Sequence, residues 1–146
     1  MDFNTVKVSK QELKINFPIP KRMESITTKG KVFLLGGCSS KNGELFKNEV
    51  YELDEPNCNL VAKDPMIVAK QWFGVTELYN RFLFSIGGYN GENLNDAERY
   101  DLIINRWESL PPLNIPRQCP SICVYNFEYL YCIGGFNKAP LSKSLG

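Results

Sequence analysis

The stretch FLFSIGGYNGENLNDAERYDLIINRW, residues 82–107, decides the fold, because five mostly apolar residues run straight into a pair of glycines. Glycine has no Cβ, so Gly87 and Gly88 mark a strand end at which the backbone turns or passes close to another segment. Tyr100 and Trp107 follow at set distances and offer large apolar surfaces for packing. The stretch therefore predicts short β-strands whose sheet packs against a neighbour through aromatic side chains.

The same arrangement occurs three times along the chain, in VFLLGGCSS, FLFSIGGYN and LYCIGGFNK. The first glycines are Gly36, Gly87 and Gly134, which lie 51 and 47 residues apart. An apolar run precedes each pair, and a polar loop follows it. A near-constant period with the same flanking residues is the sign of a repeat architecture.

Each period contains four strand-length segments. In the middle unit these are 72–79, 81–87, 97–102 and 105–110, and the proline-rich segment 111–117 closes the unit. No stretch has a sustained period of 3.6 residues, so the chain is predicted to be all-β, with about ten strands. A four-stranded meander cannot bury both faces alone, and repeating it side by side gives a β-propeller.

At these positions the sequence resembles the kelch repeat, one blade of a kelch-type β-propeller. The unit 82–117 has the residues of the pattern, namely Gly87, Gly88, Tyr100, Asp101, Trp107, Pro112 and Arg117. The unit 32–70 has fewer of them, namely Gly36, Gly37, Tyr51, Asp54 and Pro65. There, Cys58 or Leu60 stands in place of the tryptophan and Lys70 in place of the arginine. The third unit keeps Gly134 and Gly135.

The repeats divide the chain into four parts. These are an N-terminal segment 1–17, with the character of a last strand of a preceding blade, and repeats at 18–70, 71–117 and 118–146. Two full units and part of a third cannot close a ring, so the propeller is predicted to be open within this chain. A fragment of a larger propeller, a truncated gene product and a protomer completed by a partner chain all fit. Open blade faces also favour self-association.

Composition excludes several classes of protein. The 146 residues carry a net charge of +1 without a block of like charge, which argues against a nucleic-acid or membrane partner. No apolar run approaches the length of a membrane span, and the first residues lack the apolar core of a secretion signal, which favours a cytoplasmic location. The chain has five cysteines, no C-x-x-C pair and no histidine. No metal site and no cofactor are therefore expected.

The cysteines are expected to be reduced thiols. A two-residue turn at 127–128 would place Cys123 opposite Cys132 on adjacent strands. The same register in the middle unit would place Thr76 opposite Ser85.

Meander geometry puts the loops between second and third strands on the same face as the links between blades. The residues on this face that are candidates for partner binding are Tyr89, Phe136, Arg117, Lys70 and Arg22. Aromatic rings and arginines are typical anchors of interfaces. The alternatives are a structural Arg117 that hydrogen-bonds loop carbonyls, and solvent-exposed rings without a partner. The carboxylates in GENLNDAE fit a solvated loop.

The resemblance implies a protein-interaction module or adaptor without catalytic residues. Its ligand is expected to be a peptide or protein, with an acidic or polar extended segment favoured by the arginine and lysine candidates. The alternative is a fragment of a kelch-propeller enzyme whose catalytic residues lie in missing blades.

Overall fold

The computed structural model describes residues 10–40, 42 and 45–137. Ten β-strands are formed, and their order along the chain is β1 Glu24–Thr28, β2 Lys31–Leu35, β3 Val50–Asp54, β4 Asn59–Ala62, β5 Gly74–Leu78, β6 Phe82–Tyr89, β7 Asn93–Asp101, β8 Arg106–Leu110, β9 Ser121–Tyr125 and β10 Tyr129–Ile133. No helix is found among these residues, and hence none there that could cross a membrane.

The strands form three antiparallel sheets that follow chain order. Blade 1 is β1-β2-β3-β4, blade 2 is β5-β6-β7-β8, and blade 3 contains β9 and β10 within the described residues. The predicted fold class is confirmed: the protein is all-β, and its four-stranded meanders are open propeller blades. Strand β7 begins at Asn93, earlier than the predicted third strand at 97, because β6 continues through its glycines and pairs Gly88 with Leu94.

The glycine pairs occupy equivalent places at the ends of the second strands, and a neighbouring backbone carbonyl explains why glycine is needed there. A Cβ on Gly36 would lie 2.6 Å from the Lys70 carbonyl oxygen, and one on Gly87 would lie 2.6 Å from the Arg117 carbonyl oxygen. The second glycine of each pair donates its N–H to that same carbonyl, at 2.9 Å for Gly37 and 2.8 Å for Gly88. The glycine pairs of blades 1 and 2 therefore tie their own blade to the link that leads into the next one.

The predicted two-residue turns at the blade 2 and blade 3 hairpins are wrong by one residue. Tyr125 pairs with Tyr129, so Cys123 lies opposite Tyr131, and the Cys132 partner is Ile122. Each hairpin has two left-handed residues and one further residue before the next strand, which shifts the register by one. In blade 2 the same shift puts Val75, rather than Thr76, opposite Ser85. All five cysteines are free thiols.

The main core lies between blades 1 and 2. Phe33 and Leu35 of blade 1 are buried in one cluster with Leu83, Tyr100 and Trp107 of blade 2. The Tyr100 and Trp107 rings stack with centroids 5.2 Å apart. The packing role predicted for these two aromatic residues is what the structure shows. A second cluster joins blades 2 and 3 through Phe84, Ile86, Ala97, Ile122, Leu130 and Cys132.

Tyr51 does not take the position of Tyr100, contrary to the repeat alignment. Leu53 pairs with Leu60 as Tyr100 pairs with Trp107, so Leu53 fills the tyrosine position and Leu60 the tryptophan position. The chain between the glycine pair and the third strand is longer in blade 1, which displaces its tyrosine by two residues. Tyr51 instead stacks on Phe17, with ring centroids 5.5 Å apart.

The N-terminal segment packs on blade 1 within the described residues. Residues 10–17 belong to none of the ten strands, and the Lys14 amide donates to the Cys58 carbonyl at 2.6 Å. Residues 1–9 and 138–146 lie outside the described part of the chain. The assignment of 1–17 to a preceding blade, and of 138–146 to the third repeat, stays a prediction.

Candidate functional site: the groove beside the glycine pairs

Three short backbone bridges line up the face that carries the glycine pairs. In each bridge, a residue of the link that precedes a blade pairs with the residue directly after the glycine pair of that blade. The bridged pairs are Lys21 with Cys38, Gln71 with Tyr89, and Gln118 with Phe136. The Gln71 and Tyr89 bridge has both hydrogen bonds, at 3.1 and 2.8 Å. These bridges hold the loops rigidly on the scaffold, as recognition loops require.

The residue after each bridged link position has a left-handed backbone. Arg22, Trp72 and Cys119 have φ of 57°, 57° and 52°. Such φ values are uncommon outside glycine, and their recurrence shows that the three links are built alike. The side chains of Arg22 and Trp72 are thereby directed to the same place on successive blades.

A groove of about 1230 Å³ lies on this face, between the ends of all three blades. Three of the five predicted candidates line it: Arg22, Tyr89 and Phe136. The other described residues around it are mostly amides and aromatic rings, namely Asn42, Phe46, Gln71, Trp72, Asn93, Gln118 and Asn137 with Gly91, Glu92 and Pro116. These three residues come from the loops that meander geometry places on one face.

The centre of the groove wall is an aromatic cluster around Tyr89. The Trp72 ring lies 5.6 Å from the Tyr89 ring in a tilted arrangement, and the Phe46 ring lies 5.9 Å from it edge-on. The Arg22 guanidinium lies over the Trp72 ring at 5.1 Å and donates to the Gln71 side-chain oxygen at 3.2 Å. Arg22 thus has a fixed position and unused donors on an exposed side chain.

Lys70 was predicted as an exposed charge on this face, and that prediction is wrong. Its side chain is 0% exposed, and its ammonium forms ion pairs with Asp96 and, at 3.1 Å, with Glu98. The backbone of the link explains this burial. The Lys70 carbonyl accepts a hydrogen bond from the Gly37 amide of blade 1, and the Lys70 side chain reaches the acids of blade 2. Lys70 therefore lies in the interior and does not line the groove.

Glu98 is likewise part of the interior, not of a solvated loop. Its carboxylate accepts from the Ile67 amide at 2.8 Å and from the Val68 amide at 3.1 Å, as well as from Lys70. Burial raises the pKa of Glu98, while Lys70 and the Ile67 amide act in the opposite direction. The carboxylate satisfies the orphan amides of the link that leads to Gln71 and Trp72.

Arg117 lies next to the groove without lining it. Its guanidinium donates to the Gly134 carbonyl at 2.7 Å, and its own carbonyl accepts from Gly88. These contacts join the ends of blades 2 and 3. Arg117 thus hydrogen-bonds a loop carbonyl, as the structural alternative for this arginine predicts.

Sequence reasoning missed Trp72, Phe46 and the two bridging glutamines. The position after the prolines of each link groups Arg22 with Lys70 and Arg117, whereas the backbone aligns Arg22 with Trp72 and Cys119. The repeat period itself carries the missed signal, because Trp72 lies 50 residues after Arg22 and 47 before Cys119. Phe46 had no such signal, since its loop differs in length from the others.

Among the described residues that line it, the groove offers shape, aromatic surface and the guanidinium of Arg22. Within the described residues, no group of three or more Cys, Asp or Glu side chains could hold a metal ion. What the arrangement can do chemically is to hold an extended chain by stacking, by amide hydrogen bonds and by one charge-assisted contact.

Comparison with known proteins gives one matching family model, described as the kelch motif, over residues 83–114. Human Kelch-like protein 38 is 31% identical over 117 residues, which are 78% of this chain and 20% of that protein. Kelch repeat and BTB domain-containing protein 2 of cowpox virus (strain GRI-90 / Grishak) is 31% identical over 106 residues, 72% of this chain and 18% of that protein.

An F-box/kelch-repeat protein of Arabidopsis thaliana is 28% identical over 122 residues, covering 82% of this chain and 32% of that protein. The chain therefore spans between about a fifth and a third of the length of these relatives. The residues matched by the family model contain the glycine pair of blade 2, Tyr100 and Trp107, but not strand β5.

Proposed function

The chain belongs to the kelch-repeat family, and we propose on that premise that it is a non-catalytic interaction module which binds an extended segment of a partner protein in the groove. Kelch-repeat proteins generally mediate protein interactions. The observation that carries the proposal is the convergence of Arg22, Trp72 and Tyr89 from two successive links and one glycine loop.

The groove chemistry favours a segment with an acidic residue beside an apolar one. Arg22 would donate to the carboxylate, and the Trp72 and Tyr89 rings would cover the apolar side chain. With Lys70 neutralised in the interior, Arg22 replaces it as the source of charge attraction. Phe136, which is exposed at the far side of the groove, would extend the apolar contact along the segment.

Panning a random peptide library on the purified chain tests this directly. We expect the selected peptides to carry Asp or Glu adjacent to an apolar residue. Arg22→Asn, which keeps a residue tolerant of the left-handed backbone, should weaken a selected peptide about tenfold. Tyr89→Ala should weaken it about 30-fold, as removal of a central aromatic anchor does. Fluorescence anisotropy gives both affinities.

Arg117→Ala is the comparison variant, because it removes the other arginine predicted to bind a partner, which lies beside the groove and does not line it. We expect it to lower thermal stability through loss of the Gly134 contact and to change peptide affinity little. Peptides that bind wild type, Arg22→Asn and Tyr89→Ala equally would exclude the groove. A large affinity loss in a fully stable Arg117→Ala variant would move the anchor from Arg22 to Arg117.

We also propose self-association through the outer face of blade 3. Tyr131 and Ile133 occupy the register of Phe84 and Ile86, which are buried against the next sheet, yet in the single chain they are exposed. Light scattering should show a mass that rises with concentration. Ile133→Lys should abolish that rise, whereas Ile103→Lys, at an exposed turn, should not. A single-chain mass at every concentration would contradict the proposal.

A further inference from the structure

The hairpin tips of blades 2 and 3 form a second exposed surface, on the face opposite the groove. Tyr79 and Phe127 stack there with ring centroids 5.7 Å apart and planes 17° apart. The Tyr79 hydroxyl donates to the Phe127 carbonyl at 2.9 Å. Even so, the two side chains are 61% and 67% exposed, so the stack leaves most of both rings in solvent.

Stability alone does not account for aromatic rings at these two positions. Both residues are left-handed, with φ of 58° and 55°, where a bulky side chain is unfavourable. The corresponding turn of blade 1 uses Lys29 and Gly30, the second of which adopts that backbone without strain. Phe127 stands where blade 1 has Gly30 and blade 2 has Asn80. Tyr79 stands where blade 1 has Lys29 and blade 3 has Asn126.

A groove of about 510 Å³ adjoins the stacked rings. It runs across the first strands of the three blades, and Glu77 of β5 lies in its wall with Tyr79 and Phe127. Among the described residues, the Glu77 carboxylate accepts from two neutral donors, the Asn80 amide at 3.0 Å and the Thr28 hydroxyl at 3.4 Å. In the described part of the chain neither Glu77 nor the exposed Glu128 beside Phe127 has an ion-pair partner.

The charge of this surface is therefore complementary to a cation. Exposed aromatic faces attract guanidinium and ammonium groups through their quadrupole, and unpaired carboxylates beside them add Coulomb attraction. We propose that the tip surface, formed by Tyr79, Phe127, Glu77 and Glu128, binds a basic segment of a partner protein with an arginine over the rings. This site is separate from the groove, and its preference for charge is the reverse.

The probe for the test is a fluorescein-labelled peptide of alternating arginine and glycine with five arginines. Its control has every arginine replaced by citrulline, which keeps the shape and removes the charge. We expect the 146-residue chain to bind the arginine peptide, and to bind the citrulline peptide at least about tenfold more weakly. Binding should also weaken as salt is raised, since exposed carboxylates are screened.

Phe127→Asn removes a ring while keeping a residue suited to the left-handed turn, so it should fold as the wild type does. It should weaken the arginine peptide about threefold to fivefold, the effect of one exposed cation–π contact. Phe127→Asn combined with Tyr79→Asn should weaken it about tenfold or more. Glu77→Gln should weaken it about twofold to fivefold and reduce the salt dependence.

Tyr89→Ala is the control for the opposite face and should bind the arginine peptide as the wild type does. Failure of the wild type to bind the peptide at millimolar concentration would overturn the proposal. So would equal binding of the citrulline peptide, or equal binding by the double asparagine variant. A concentration-dependent mass that the double variant abolishes would replace the basic partner with a second copy of the chain.

Discussion

Replacement of Lys70 with methionine is expected to lower the free energy of unfolding by about 3–5 kcal/mol, because it leaves the buried Glu98 carboxylate without its cation. Glu98 is 1% exposed, so water cannot replace the lost partner. Urea denaturation followed by circular dichroism measures the loss. Lys31→Met is the matched control, since Lys31 pairs with Glu52 at the surface and should cost less than about 1 kcal/mol.

The same variant should acquire a pH dependence of known sign. The pKa of Glu98 is already raised above its ordinary 4.5 by burial, and loss of Lys70 raises it further. The folded state then binds a proton more readily than the unfolded state, so stability falls as the pH rises through the folded pKa. The loss of unfolding free energy caused by Lys70→Met should therefore be largest at pH 8 and should become smaller as the pH approaches 4.5.

A second substitution separates the unpaired charge from simple loss of packing. In the Lys70→Met background, Glu98→Gln removes the charge and keeps an acceptor for the link amides, so it should restore a large part of the stability. A double variant no more stable than Lys70→Met, together with a deficit that does not change with pH, would show that the lysine acts by its volume alone.

The parts of the fold that could be predicted are those with a local cause. Each glycine pair meets a link carbonyl that leaves no room for a Cβ, so the requirement repeats with the blade and appears in the sequence as a period. The number and order of the strands and the packing role of Tyr100 and Trp107 follow from the same local pattern. For this reason, the sequence alone could predict that Arg22, Tyr89 and Phe136 lie on the same face.

The rest depends on contacts distant in sequence or on details of turns. Lys70 follows a proline-containing link like a surface residue, and the acids that bury it lie 26 and 28 residues further on. The hairpin registers depend on left-handed Tyr79 and Asn126, which sequence does not distinguish from ordinary strand ends. Trp72 was missed because the basic residue after the prolines does not fall at the same backbone position in every link.

Trp107→Ala is expected to lower the free energy of unfolding by about 3–5 kcal/mol, the cost of removing a large buried aromatic side chain. The indole is 6% exposed, stacks on Tyr100 and donates its Nε1–H to the Asp64 carbonyl at 2.9 Å. Its loss opens a cavity in the core between blades 1 and 2 and removes the donor of the part-buried Asp64 carbonyl. Because Trp72 is the only other tryptophan, its fluorescence reports the unfolding of the variant.

Trp107→Phe separates the two contributions, because it retains most of the apolar surface and removes the Nε1 donor. Its free energy of unfolding should be about 1–2 kcal/mol lower than that of the wild type, because the hydrogen bond is lost and a smaller cavity is left. Ile104→Ala, at an exposed turn, should change stability by less than about 0.5 kcal/mol. If Trp107→Ala lost no more than Ile104→Ala, the packing between blades 1 and 2 would contribute nothing to stability. The groove, which spans both blades, would then need another explanation for its rigidity.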